Sequence, residues 1–133
     1  MVQNGARASA IPGRQMPHVL VVDDDEIWSN VARQILRQAG FEVLLAPDYR
    51  EALEILDSSA PVDVLLTDIV MPQRINGVAL GRMARMRRSM LPLIYMTAYD
   101  IPGLANETQG EVLKKPMSEG DLGSAVQRAL ART

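Results

Sequence analysis

Short apolar runs alternate along this chain with stretches whose apolar residues fall at helical spacing. Val19-Leu20-Val21-Val22 is a continuous apolar run of strand length that stops at Asp23-Asp24-Asp25-Glu26. Helical spacing follows, with Ile27, Val31 and Ile35 four residues apart and Ala32, Leu36 and Ala39 beside them. Gly40 stands where a helix would end in a left-handed cap. Phe41 to Ala46 predicts a second strand. Asp48, three residues before Glu51, opens a second helix with Ala52, Leu53, Ile55 and Leu56 as its buried face, and Pro61 breaks it. Val62 to Thr67 is a third apolar run, stopping at Asp68. Beyond a loop with Pro72 and Gly77, Val78 to Met86 predicts a helix with an Arg-rich outer face. Leu93 to Met96 is a fourth run, ending at Thr97. Pro102, Gly103 and Asn106 make the stretch from Asp100 to Gly110 a poor helix. Glu111 to Lys114 predicts a short fifth strand bounded by Lys115-Pro116, and Ser118 caps a last helix carrying Leu122, Val126 and Leu130.

Five strand–helix units with near-continuous apolar strands imply an α/β fold: a parallel sheet, buried on both faces by helices. Right-handed crossovers leave few topologies, and the flavodoxin-like doubly wound order 2-1-3-4-5 is the one expected. The length of 133 residues allows one core. Residues 18–133 are expected to form that domain, behind a disordered tail over residues 1–17.

Composition narrows the chemistry. The chain has no cysteine and one histidine, His18, so sulfur-based zinc sites, thiolate catalysis and His-rich metal cages are excluded. His18 precedes the first strand and is assigned no catalytic role. A net charge of −2 offers no field for a phosphate backbone, so direct nucleic-acid binding by this segment is not expected. No apolar run approaches the ~20 residues of a membrane helix. Met1 to Pro17 lacks an apolar signal-peptide core, which leaves the cytoplasm as the expected compartment.

Polar residues collect where the strands end. Asp23 and Asp24 follow the first strand, Asp68 the third, Thr97 the fourth and Lys115 the fifth. In an open α/β sheet these carboxyl ends share one edge, and in the order 2-1-3-4-5 strands one and three meet at the switch point where ligands bind. Three carboxylates therefore converge. Two of them ~4 Å apart repel by about 4 kcal/mol at an effective dielectric of 20. A divalent cation resolves the conflict, and an all-oxygen donor set suits Mg²⁺. Such a cation would keep Asp68 ionised and screen an incoming phosphoryl group, with Lys115 as a mobile charge and Thr97 as a hydroxyl donor. The constellation reads as phosphoryl transfer to a carboxylate.

Val21-Val22-Asp23-Asp24, Asp68-Ile69-Val70-Met71-Pro72, Met96-Thr97-Ala98 and Lys115-Pro116 resemble the four motifs of response-regulator receiver domains, across about His18 to Arg132. The resemblance implies that Asp68 accepts a phosphoryl group from a histidine kinase or a histidine phosphotransfer protein. It implies Mg²⁺ on Asp24, Asp68 and the Val70 backbone carbonyl, with Asp23 acting through water. Thr97 and Lys115 would sense the phosphoryl oxygens, and Pro116 would follow a cis peptide bond. Chemistry of this kind is self-directed, so a signalling switch rather than an enzyme is expected.

Three departures from the family pattern stand out. Pro72 to Gly77 is one residue longer than usual, the stretch from Thr97 to Lys115 is several residues shorter, and Val112 stands where many receivers carry an aromatic residue that turns inward on activation. The first two resemble receivers fused behind hybrid histidine kinases. Free-standing receiver and segment of a longer protein both stay open. The rival functions are a phosphate-independent interaction module on the same fold and a Mg²⁺-dependent phosphohydrolase. Such hydrolases commonly need a second carboxylate two residues after the nucleophile, where Val70 stands. A nucleotide- or flavin-binding domain is opposed by the lack of GxGxxG and GxxxxGK[ST].

Single residues also have plainer readings. The acidic run can be an ordinary helix N-terminus. Arg82, Arg85, Arg87 and Arg88 read better as a solvated helix face than as an acidic-partner site. Met83 and Met86 read as packing, and Trp28, just after the acidic run, as a partly buried core residue rather than one packed near the site. Tyr99, two residues beyond Thr97, is the candidate for controlling water access to an aspartyl phosphate.

Overall fold

The computed structural model describes residues 16–70 and 76–132. The chain runs β1 (His18–Val22), α1 (Glu26–Gln38), β2 (Glu42–Ala46), α2 (Tyr49–Asp57), β3 (Val64–Asp68), α3 (Gly77–Arg87), β4 (Leu93–Thr97), α4 (Leu104–Glu107), β5 (Glu111–Lys114) and α5 (Glu119–Ala131). All strand pairs are parallel, and the order is β2-β1-β3-β4-β5, as the sequence predicts.

Alternation within each strand builds the two halves of the core. Val19 and Val21 of β1, Val64 and Leu66 of β3 and Ile94 and Met96 of β4 face α1 and α5, where Ala32, Leu36, Leu122 and Val126 cover them. Leu20, Val22, Leu65 and Tyr95 face the other way, onto Ala52, Leu56, Leu80 and Ala84. Helix ends follow the expected chemistry. Asp25, Asp48, Asn76 and Ser118 each accept a backbone N–H at the start of a helix, with a full capping box at Ser118 and Asp121. Gly40 has a φ of 102°, the conformation its position after α1 calls for.

The structure corrects several expectations about helix faces. In α1 the buried residues are Ser29, Ala32 and Leu36, while Ile27 is 80% exposed and Val31 also faces out. Of the four-residue series only Ile35 packs on the core, and Ala32, Leu36 and Ala39 beside it carry the buried face. Helix α2 ends at Asp57, ahead of Pro61, where Ser58 and Arg88 take up its last carbonyls. The arginine face of α3 is only partly solvated. Arg85 donates to the Leu91 carbonyl, Arg87 pairs with Asp57 at 2.8 Å, and Arg88 donates to the Leu56, Ile55 and Ser58 carbonyls, so three of the four arginines tie α3 to its neighbours. Met86 is exposed rather than packed. The segment after β4 does form a helix, of a single turn, whose N-cap Gly103 has a φ of 76°. Pro17, assigned to the tail by sequence, accepts a hydrogen bond from the Glu42 N–H at 2.9 Å. The rest of the expected tail, residues 1–15, and most of the lengthened Pro72–Gly77 loop lie outside the described residues.

One close approach fixes the end of β3. A Cβ at Gly77 would stand 2.1 Å from the Asp68 carbonyl oxygen, and the Gly77 N–H donates to the Ile69 carbonyl at 2.9 Å. The first turn of α3 can cross β3 at this distance only without a side chain. Gly77→Ala is expected to cost about 1–3 kcal/mol, the usual range for forced overpacking. Urea unfolding measures this as a lower midpoint at unchanged slope; an unchanged midpoint would show that the crossing yields freely.

Candidate functional site

Strands β1 and β3 are neighbours, with Val22 opposite Thr67, so the residues that follow them leave the sheet side by side. This puts Asp23 next to Asp68. The run Asp23-Asp24-Asp25-Glu26 then divides its labour. Asp25 caps α1 by accepting from the Trp28 N–H at 3.1 Å, and Glu26 lies in the first turn, where the helix dipole favours an acid. Asp23 turns inward and is 2% exposed, while Asp24 stays exposed. The Asp23 carboxylate accepts from the Asp25 N–H at 2.9 Å, and its backbone N–H donates to the Ala46 carbonyl at 3.2 Å. Asp25 and Glu26 thus serve the helix N-terminus, while Asp23 and Asp24 belong to the carboxylate cluster at the strand ends.

Asp23, Asp24 and Asp68 each offer a carboxylate oxygen within 4.8 Å of the others. Lys115 reaches this cluster from β5, with Nζ 2.6 Å from Asp23 and 3.4 Å from Asp68. Its backbone N–H donates to the Thr97 carbonyl at 2.8 Å, and the Lys115–Pro116 bond is cis, as expected. The Trp28 ring, partly buried against the core as expected, completes the arrangement: the Lys115 ammonium lies 4.8 Å from its centroid. The α-helical offset of Trp28 from Asp24 was the available signal, but nothing in the sequence says which way its ring turns.

Burial and charge act against each other here. Burial raises the Asp68 pKa, the Lys115 charge lowers it, the Asp23 charge raises it again, and the Val70 N–H at 3.2 Å lowers it; the net result is above the usual carboxylate value. For Lys115, burial acts to lower the pKa, but the hydrogen bond to Asp23 and the charges of Asp23 and Asp68 carry it above the ordinary lysine value. One ammonium therefore serves two carboxylates and satisfies Asp23 first. The oxygen-only donors, one of them buried, fit a small hard cation such as Mg²⁺.

Thr97 ends β4 at the same sheet edge and is buried, but its hydroxyl is engaged locally. It accepts from the Tyr99 N–H at 3.0 Å and donates to the Tyr99 carbonyl at 3.4 Å. Tyr99 is 61% exposed and, with Thr97, Ile101, Leu104 and Val112, lines a cavity of about 400 Å³. Val112 is half-buried there. His18 sits at the opposite, N-terminal edge of the sheet, its backbone N–H on Asp63.

Known proteins agree with this geometry. Residues 19–127 match the response regulator receiver domain family, and the chain belongs to it. The response regulator MprA of Mycolicibacterium vanbaalenii is 34% identical over 120 residues, which cover 86% of this chain and 51% of MprA. The chain thus spans about half the length of curated relatives of this kind. A response regulator receiver protein from Sinorhizobium medicae superposes with a TM-score of 0.81 at 28% identity, over 87% of this chain and 95% of that one. The receiver domain of the hybrid histidine kinase CckA gives 0.73 at 32% identity, over 85% and 98%. The family is one of phosphoryl-accepting signalling switches rather than conventional enzymes. Among the described residues no helix is long and apolar enough to cross a membrane.

The charge balance predicts opposite effects of two substitutions. Because the folded pKa of Asp68 is raised, its stabilising contribution is complete below the ordinary carboxylate range and is lost as pH rises through the folded value. At neutral pH without divalent cations, Asp68→Asn is expected to raise the melting temperature by about 3 °C, the shift ~1 kcal/mol gives a domain of this size. Lys115→Met strands the buried Asp23 charge and is expected to cost about 3 kcal/mol. Thermal melts that move both variants in one direction would refute this balance.

Proposed function

We propose that the chain is the switch domain, over residues 18–133, of a two-component or phosphorelay pathway, with Asp68 as acceptor of a phosphoryl group from phosphohistidine. The observation that carries the proposal is the shared Lys115: a half-buried carboxylate at the end of β3 sits in an all-oxygen cluster whose one ammonium is already committed to Asp23. Donors of this chemistry are a histidine kinase or a histidine phosphotransfer protein; the family membership and the likeness to the CckA receiver support both. Phosphohistidine is made from ATP, so the cytoplasm is where the switch would meet it. Output passes to a downstream protein partner, with no direct contact to nucleic acid or membrane in this segment.

Asp23, Asp24, Asp68 and the Val70 backbone carbonyl would hold Mg²⁺, which supplies positive charge to the entering phosphoryl oxygens. An Asp68 carboxylate oxygen attacks phosphorus, the P–N bond breaks, and the electron pair stays on the imidazole nitrogen of the donor. Lys115 then has a phosphoryl oxygen to bind in place of the Asp68 carboxylate. Thr97 exchanges the Tyr99 carbonyl for a phosphoryl oxygen, which frees the turn after β4. Loss of the group is by the domain's own hydrolysis, with the exposed Tyr99 ring at the rim controlling water access. No turnover of an external substrate is involved.

Intact-mass spectrometry after incubation with Mg²⁺ and phosphoramidate tests the acceptor. One phosphoryl adduct is expected, absent without Mg²⁺ and absent in Asp68→Asn. An adduct that survives in the variant would move the chemistry to another residue, and multiple turnover on a small phosphomonoester would make the protein a hydrolase. Tyr99→Ala is expected to shorten the lifetime of the adduct about threefold, as read by the decay of the phosphorylated mass. An unchanged lifetime removes Tyr99 from the site.

A further inference from the structure

The geometry points to Trp28 as a positioning residue for phosphoryl transfer: its indole face holds the Lys115 ammonium in place while the carboxylates around it change partners. This rests on the reading of Asp68 as acceptor. Three side chains surround the ammonium, namely Asp23 at 2.6 Å, Asp68 at 3.4 Å and the Trp28 ring at 4.8 Å from its centroid. Two of them are carboxylates that belong to the cation cluster. Both are drawn elsewhere when a cation is bound and Asp68 becomes an acyl phosphate. The indole competes for neither cation nor phosphoryl group.

An aromatic face suits this task for a second reason. A hydrogen bond fixes the ammonium at one distance and angle, whereas a ring quadrupole attracts a cation anywhere over its face. The ammonium can swing from Asp23 toward a phosphoryl oxygen and keep the contact. A lysine stem has many rotamers, and the ring confines it before the reaction begins. Trp28 is itself held in place: its backbone N–H caps onto Asp25, one residue beyond Asp24, and its ring packs against the core cluster of α1 and α5. The ring is thus fixed by the same turn that delivers the acidic pair.

Trp28 is the single tryptophan of the chain, so its emission reports the surroundings of this one ring. In wild type, addition of Mg²⁺ with beryllofluoride is expected to change the emission as Lys115 moves over the ring, and Lys115→Met should abolish most of that change. Phosphorylation by phosphoramidate in Mg²⁺ supplies the rate. Trp28→Leu, which keeps an apolar side chain but no π face, is expected to be about tenfold slower, equivalent to about 1.4 kcal/mol. Trp28→Phe should stay within about threefold of wild type. In a Lys115→Met background, compared only among variants whose melts show a folded domain, Trp28→Leu should add no further loss. Equal rates for wild type and Trp28→Leu overturn the inference, as does a loss that persists undiminished without Lys115, which would make Trp28 merely structural. Wild type that takes no phosphoryl group overturns the reading of Asp68 and this inference with it; wild type that is phosphorylated while Trp28→Leu loses nothing overturns the inference alone.

Discussion

One lysine stands against three carboxylates at the open edge of the sheet, and most of the site follows from that imbalance. The cluster of Asp23, Asp24 and Asp68 with Lys115 keeps two negative charges uncompensated. Like charges ~4 Å apart cost about 4 kcal/mol at an effective dielectric of 20, a large share of the 5–15 kcal/mol that holds a small domain together. The fold bears this cost by giving Asp23, the buried member, both the ammonium and the Asp25 N–H, and by leaving Asp24 in solvent. Asp68 receives what remains: a longer contact to Lys115 and one N–H from Val70.

The rest of the molecule serves this edge. Parallel strands put all their carboxyl ends on one side, and Val22 opposite Thr67 sets Asp23 beside Asp68 without any special loop. Gly77 lets α3 start directly beneath the Asp68 carbonyl. Lys115 arrives from β5 through the hydrogen bond of its N–H to Thr97, so the ammonium and the hydroxyl are fastened to each other through backbone. Movement at one is therefore felt at the other.

The sequence made much of this legible, for an identifiable reason. Buried parallel strands read as continuous apolar runs, and the runs of β1, β3, β4 and β5 give way to a polar residue at the same sheet edge: Asp23, Asp68, Thr97 or Lys115. The strand order then converts four sequence positions into one place. What stayed hidden depends on side-chain direction. Ile27, Val31 and Ile35 share a spacing of four with the buried pair Ala32 and Leu36, and spacing alone does not choose between two stripes on one helix. Arg85 and Arg88 read as solvated because guanidinium groups usually are; their carbonyl partners on other segments come together only in the folded chain. Trp28 packs partly buried on the core as its position suggests, but its spacing does not say that the rest of the ring faces an ammonium.

Val112 gives β5 a small aliphatic side chain beside the turn after β4. With Val112 in that position, a cavity of about 400 Å³ lies beside Thr97 and reaches the exposed Tyr99 ring. The hydroxyl of Thr97 holds both the N–H and the carbonyl of Tyr99, so the turn after β4 is kept in place by one side chain. A group that draws this hydroxyl toward Asp68 removes both bonds at once. The segment beyond is poorly suited to resist: α4 is one turn, begins at a left-handed glycine and has no side-chain cap. Leu104 and Ile101 pack on the core cluster, and the exposed ion pair of Asp100 with Lys114 of β5 is the kind of contact worth about 1 kcal/mol or less. The stiff parts of the domain thus converge on Asp68, and the weakly held part begins two residues beyond Thr97. A change of charge at Asp68 has a short, weakly capped element nearby on which to act.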